Sequence, residues 1–302
     1  MIGANHFIDP LDQSTFHLYP WFYTTQGSLK LFKDLFSPEL NNKRDVIVYL
    51  PPSYLENTLK IHENILIMHD GNNLFDPATA FMGNAWMIQN TINPLIYQGK
   101  IEEVVVIGAY NTDDRMNEYT YSYDPSEKFG GKGDLYLDWI EKELLPFAGQ
   151  NLRINYNNRK KLGILGSSLG GLISCYAGWT RPTVYGKVGC MSSSFWWNDQ
   201  DFQNKILPAH SLKNLSPRPI FYMDSGTEGG EASCAQFTME IEDYMVKTNN
   251  YVMGKDVQTF IDRGASHNEY YWGKRFYLPI QFLYPTQANT LTDQQQNDVF
   301  LS

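Results

Sequence analysis

The sequence predicts an α/β fold: a mostly parallel central sheet with helices on both faces. Three observations carry that prediction. Short apolar runs alternate with amphipathic segments along most of the 302 residues, the pattern of strands joined by crossover helices. Several runs are apolar without alternation, as strands covered on both faces are. Polar clusters directly follow several of the runs, where a parallel sheet collects its functional groups beyond the carboxyl ends of its strands.

Taken in order, residues 1–44 read as an aromatic-rich, irregular N-terminal extension in which Ser28–Phe36 forms an edge strand. Asp45–Leu50 is a strand stopped by Pro51-Pro52. Asn64–Met68 reads as a central strand ending in His69-Asp70-Gly71-Asn72-Asn73. Glu103–Ala109 is another buried strand, Tyr110–Gly133 a long polar loop, and Asp134–Phe147 an amphipathic helix. Lys160–Gly178 reads as strand, tight turn and helix. Gly186–Ser192 and Pro219–Asp224 are strands, the second running into a polar loop over 225–231. Ala232–Val246 is a helix, Val257–Ile261 a strand leading into a loop that carries His267, and Glu269–Leu283 an aromatic helix. The final stretch, 286–302, reads as a loose tail. No linker or internal repeat divides the chain, so a single domain, 1–302, is expected.

Composition narrows the function. A net charge of −9 with no basic stripe argues against nucleic acid as a partner. No run has the length of a membrane-spanning helix, so no membrane partner is expected, and the start of the chain lacks a signal-peptide pattern, which makes the cytoplasm the default location. Cys175, Cys190 and Cys234 are widely spaced, which suggests neither a disulfide framework nor a zinc site; the first two read as core thiols. His69 beside Asp70 reads as a hydrogen-bonded residue rather than a metal ligand. Arg115 and Glu118, three residues apart, read as a local ion pair.

The chemistry centres on Gly166-Ser167-Ser168-Leu169-Gly170, a G-x-S-x-G pattern between an apolar run and a helix. A serine on such a turn projects its hydroxyl above the sheet edge, and the glycines avoid collisions with neighbouring elements. Ser168, flanked by glycine two residues away on both sides, is the expected nucleophile. The Leu169 N–H at the helix start is one expected oxyanion donor, and the Asn72 N–H after Gly71 is the other. A serine hydroxyl needs a base and a carboxylate to orient that base. His267 lies C-terminal to the acid candidates and follows a strand, so it is the expected base. Glu228 is the expected acid, with Asp224 and Glu231 as alternatives. The order Ser, acid, His is that of an α/β-hydrolase. Trp86, Phe195, Trp196 and Trp197 are candidates for a substrate pocket, with core packing as the competing role for each.

Six stretches then resemble a known family: Lys43–Tyr54 (KRDVIVYLPPSY), Met68–Pro77 (MHDGNNLFDP), Gly166–Gly171 (GSSLGG), Ser192–Trp197 (SSSFWW), Tyr222–Glu231 (YMDSGTEGGE) and Ser266–Phe276 (SHNEYYWGKRF). In this order they resemble the esterase family of α/β-hydrolases that includes esterase D, enterochelin esterases and feruloyl esterases. The resemblance implies a carboxylic-ester hydrolase acting on small-molecule esters through Ser168 and His267, with an oxyanion loop at His69–Asn72 and no metal or organic cofactor. The chain departs from the pattern at the acid: feruloyl-esterase-like members carry it in a G-T-x-D turn, where Gly229 stands here, and some siderophore esterases resemble a Ser–His dyad. The same scaffold also implies two other readings, an acyltransferase like the mycolyl transferases and a non-catalytic hydrolase-like binding protein. The sequence leaves the natural ester and the oligomeric state open.

Overall fold

The computed structural model describes residues 25–229 and 231–286. Among them one eight-stranded sheet organises the chain. Its strands are β1 (Ser28–Ser37), β2 (Asn42–Leu50), β3 (Ile65–Met68), β4 (Val105–Ala109), β5 (Leu162–Ser167), β6 (Lys187–Met191), β7 (Ile220–Glu228) and β8 (Val257–Ser266). Their spatial order is β1-β2-β4-β3-β5-β6-β7-β8. β1 pairs antiparallel with β2, and β2 antiparallel with β4. Every other pairing is parallel. The expected edge strand is therefore present, and the expected 1–44 extension is described only from residue 25 onward. The expected tail over 286–302 lies, from residue 287 on, outside the described residues.

β3 shows why a continuous apolar run marks the middle of such a sheet. Ile65 and Ile67 join one hydrophobic core, Leu66 and Met68 the other, and all four are fully buried. Strand geometry sends successive side chains to opposite faces, and here both faces are covered. The helices that cover them include α1 (Ile88–Tyr97), α2 (Gly133–Trp139), α3 (Leu145–Asn151), α4 (Leu169–Thr180), α5 (Glu231–Asn249), α6 (Glu269–Arg275) and α7 (Tyr277–Leu283). A π-helical stretch, Ile140–Leu144, joins α2 to α3, so the expected helix over 134–147 runs longer than its pattern.

Three local expectations are corrected. The segment expected as a loop over 110–133 contains a helical turn, Arg115–Glu118, and a small hairpin pairing Tyr123–Asp124 with Phe129–Gly130. The strands expected to stop at Asp224 and Ile261 continue as a parallel pair, with Ile261 opposite Ser225 and Ser266 opposite Glu228. The aromatic helix expected over 269–283 is broken into α6 and α7 at Phe276. The three cysteines are all buried thiols.

Candidate active site

At the end of β5 the chain turns sharply. Ser168 holds φ 58° and ψ −124°, a region costly for a residue with a Cβ. Neighbouring backbone pins it there: the Ser168 N–H donates to the Met191 carbonyl (3.0 Å), and the Ser168 carbonyl accepts from the N–H groups of Leu172 (3.0 Å) and Ser194 (3.1 Å). The expected spatial reason holds at Gly166, where a Cβ would lie 2.7 Å from the Gly170 backbone, and more weakly at Gly170, where the nearest atom, the His69 Cβ, would stand 3.2 Å away; the tighter position is Gly171, whose Cβ would lie 2.8 Å from the Met191 carbonyl oxygen. Helix α4 starts at Leu169; the first N–H groups of a helix have no acceptor inside it.

β8 delivers the second group. His267 follows its last residue, and its Nε2 lies 2.9 Å from the Ser168 Oγ. The ring packs edge-on against Trp272, with centroids 4.9 Å apart. Asn268 caps α6, its side chain accepting from the Tyr271 N–H. The hydroxyl of Ser194, a residue that sequence reasoning did not single out, stands 3.3 Å from the Ser168 Oγ. Its only sequence signal was its place in the serine run after β6.

The loop after β3 forms the facing wall. Asp70 takes a left-handed conformation (φ 54°), and Gly71 presses so closely on β4 that a Cβ there would lie 2.5 Å from the Gly108 carbonyl oxygen. Only a residue without a side chain permits that approach. Asp70 accepts both nitrogens of the Arg115 fork, Nε at 2.7 Å and Nη2 at 2.9 Å, and Asn111 Nδ2 at 2.6 Å. Burial opposes its charge, but the Arg115 guanidinium holds the Asp70 carboxyl below its ordinary value. His69 is buried and its Nδ1 lies 2.9 Å from the Tyr136 hydroxyl, the expected hydrogen-bonded role. Burial, helped by the Arg115 and Arg44 charges, pushes its imidazole down to about 3 despite the neighbouring Asp70. The expected Arg115–Glu118 pair does not form. Arg115 is taken by Asp70, and Glu118 makes a fully buried ion pair with Arg44 at 2.8 Å.

Asn72, Ser168 and His267 open onto one cavity of about 520 Å³, together with Arg115, Glu269 and Trp272. The three expected pocket tryptophans do not line it. Trp86 is buried behind the wall, against Trp272 and Phe276. Trp197 is fully buried and donates its indole N–H to the Ser122 carbonyl. Trp196 is exposed beside it. Phe81 and Trp272 line the cavity instead. Among the described residues no group of His, Cys, Asp and Glu gathers as a metal site.

The acid candidates separate. Asp224 is fully buried, and its Oδ1 accepts from Arg275 Nη2 (2.9 Å) and from the Ser192 N–H (3.1 Å). Burial raises its carboxyl pKa, against the pull of Arg275. That bond set ties α6 to the ends of β6 and β7, a structural task. Glu228 is exposed at the last position of β7, its Cα in register with Ser266. Glu231 opens α5, and its side chain lies outside the described residues.

A serine hydroxyl and an imidazole in contact at the carboxyl edge of a mostly parallel sheet define a serine hydrolase of the α/β class. Residues 37–279 match the family described as "Putative esterase". The chain belongs to that family and is a serine esterase with the α/β-hydrolase fold. It is similar to the uncharacterized protein YbbA of Bacillus subtilis, with 27% identity over 262 residues, 82% of this chain and 95% of that one. Among solved structures it is similar to the BES protein from Bacillus cereus, with TM-score 0.67 and 15% identity, covering 85% of this chain and 94% of the other. It is also similar to an IroE-like serine hydrolase from Shewanella oneidensis, with TM-score 0.65 and 20% identity, covering 85% and 80% respectively. No helix among the described residues is long and apolar enough to cross a membrane.

Proposed function

We propose that the protein hydrolyses small carboxylic esters through an acyl-enzyme formed on Ser168. The observation that carries this reading is the 2.9 Å contact between Ser168 Oγ and His267 Nε2 at the floor of the cavity. His267 takes the hydroxyl proton as the oxygen attacks the ester carbonyl. The negative charge on the tetrahedral carbon's oxygen is met by the N–H groups of Leu169 and Asn72. His267 then gives the proton to the leaving alcohol, and the acyl-enzyme forms. A water molecule, activated by the same imidazole, releases the acid and restores Ser168. One oxyanion donor is typically worth ~3 kcal/mol in the transition state.

Glu228 is the proposed acid. Its support is position: its backbone lies beside Ser266, one residue from the base. A Cβ added at the Gly229 that follows would lie 3.4 Å from the Ser266 side chain. Ester classes that fit the family range from short acyl to aryl (feruloyl-type) and siderophore esters. Hydrolysis of p-nitrophenyl acetate tests the core of the reading. Ser168→Ala is expected to lower turnover by several orders of magnitude, and unchanged turnover would end it. Product analysis with added glycerol or sugar separates hydrolysis from acyl transfer. Labelling of Ser168 by a fluorophosphonate separates both from a hydrolase-like binding protein.

A further inference from the structure

The charged groups in the cavity wall do not balance. Arg115 and Asp70 satisfy each other through two contacts of 2.7 and 2.9 Å, which leaves the pair close to neutral as seen from the cavity. Glu269 is the remaining carboxyl group in the wall. It is half-buried, and its Oε1 accepts from Asn73 Nδ2 at 3.5 Å, the outer limit of a hydrogen bond. Among the described residues it forms no ion pair, and Arg115, which acts on it through space, is paired with Asp70. Burial raises its carboxyl pKa, and the nearby Asp70 charge adds to that; its own N–H, Arg115 and His267 pull the other way. A glutamate at the first turn of a helix is ordinary when solvent carries its charge. This one is instead turned into the space a substrate would fill, beside Phe81, which is 63% exposed, and Trp272.

We propose that the cavity selects esters carrying an ammonium group, with Glu269 as the residue that recognises it. The proposal rests on the esterase reading above and names its substrate class. A bound ammonium supplies the positive charge that the wall lacks. The aromatic rings add an attraction that a neutral group of the same shape does not receive. An anionic ester meets the reverse situation: Glu269 repels it, and the guanidinium that could attract it is already held by Asp70.

The test compares two esters of one shape, acetylcholine and 3,3-dimethylbutyl acetate, in which a carbon replaces the charged nitrogen. The wild-type protein is expected to favour the cation by about tenfold or more in kcat/KM, the scale of one partly desolvated ion contact. In Glu269→Gln the ratio is expected to fall towards one; because both esters are measured on the same preparation, a loss of folded protein cancels. A ratio near one in the wild type, a preference for an anionic ester, or an unchanged ratio in the variant overturns the proposal. Calorimetric binding of both esters to Ser168→Ala reads the preference without turnover. Failure of the wild type to hydrolyse any ester would therefore count against the esterase reading alone, while equal binding of the two esters would count against the ammonium site alone.

Discussion

Ser168 shows how one residue concentrates the cost of function. Its backbone conformation disfavours a side chain by about 1–3 kcal/mol, and the hydrogen bonds from Ser168, Leu172 and Ser194 hold it there. The result is a hydroxyl aimed at His267 rather than along the helix. The acid that steadies the imidazole is a residue-scale question with three measurable answers. Asp224→Asn should leave the chemistry near wild type in folded protein while lowering stability, because the fully buried carboxylate is engaged by Arg275 and the Ser192 N–H. Removing one charge of a buried pair typically costs about 3–5 kcal/mol. Glu228→Gln is expected to lower kcat for p-nitrophenyl acetate by two or more orders of magnitude with little change in melting temperature, on the order of what orienting a catalytic histidine is worth. Should Glu231→Gln produce that kcat loss and Glu228→Gln none, the acid moves to the start of α5.

At the scale of the element, the loop after β3 is held from outside itself. Asp70 donates its N–H to the Tyr119 hydroxyl (3.1 Å), while its carboxylate accepts from Arg115 and Asn111. All three partners come from the segment after β4, so the loop proposed to supply an oxyanion donor is positioned by its neighbour in the sheet rather than by its own residues. Arg115→Met should therefore act on geometry. We expect kcat to fall by about 10–100-fold, since small misplacements of a catalytic group carry costs of that size, with a smaller change in KM and a lower melting temperature from the unpaired Asp70. Arg115→Lys, which keeps the charge but loses the two-pronged contact, should recover part of the stability and less of kcat. A rise in KM with kcat unchanged would make Arg115 a substrate contact instead. This partnership was hidden in the sequence, where the spacing of Arg115 and Glu118 suggested a local pair. Long-range partners, Asp70 and Arg44, won both side chains because they offer burial and better geometry. The ends of β7 and β8 were hidden for a related reason. Ser225–Glu228 and Asp262–Ser266 have the composition of loops, but each supplies the other's hydrogen bonds as a parallel pair.

Across the whole molecule, what the sequence made legible was what burial on two faces writes into it: the apolar runs of β3, β4 and β5, the elbow between β5 and α4, and the convergence of Ser168 with His267. Residue type alone could not say whether a tryptophan packs a core or lines a pocket, and Trp86 and Trp197 went to the core while Trp272 took the wall. The same depth of burial makes the fold sensitive to acid. His69 is held neutral far below its ordinary range, pushed down to about 3, and His62, buried in the segment before β3 and bridged to Ile154, to about 4. A histidine whose folded pKa lies below its unfolded value favours folding fully above about pH 6.5, and that contribution is lost as pH falls towards the folded value, because the unfolded chain takes up a proton that the native state refuses. Each such group adds a slope of about 1.4 kcal/mol per pH unit inside that window. Denaturant unfolding followed between about pH 6 and pH 4.5 in the wild type and in His69→Gln isolates the histidine, because carboxyl groups whose pKa burial raises, Glu56 among them, titrate alike in both proteins. His69→Gln keeps an amide near Tyr136 but cannot titrate, so its slope should be shallower by one proton, with the His62 contribution remaining. Equal slopes in the two proteins would mean that His69 is accessible to protons in the native state, and the tight packing of the loop after β3 against β4 and the elbow would have to be given up.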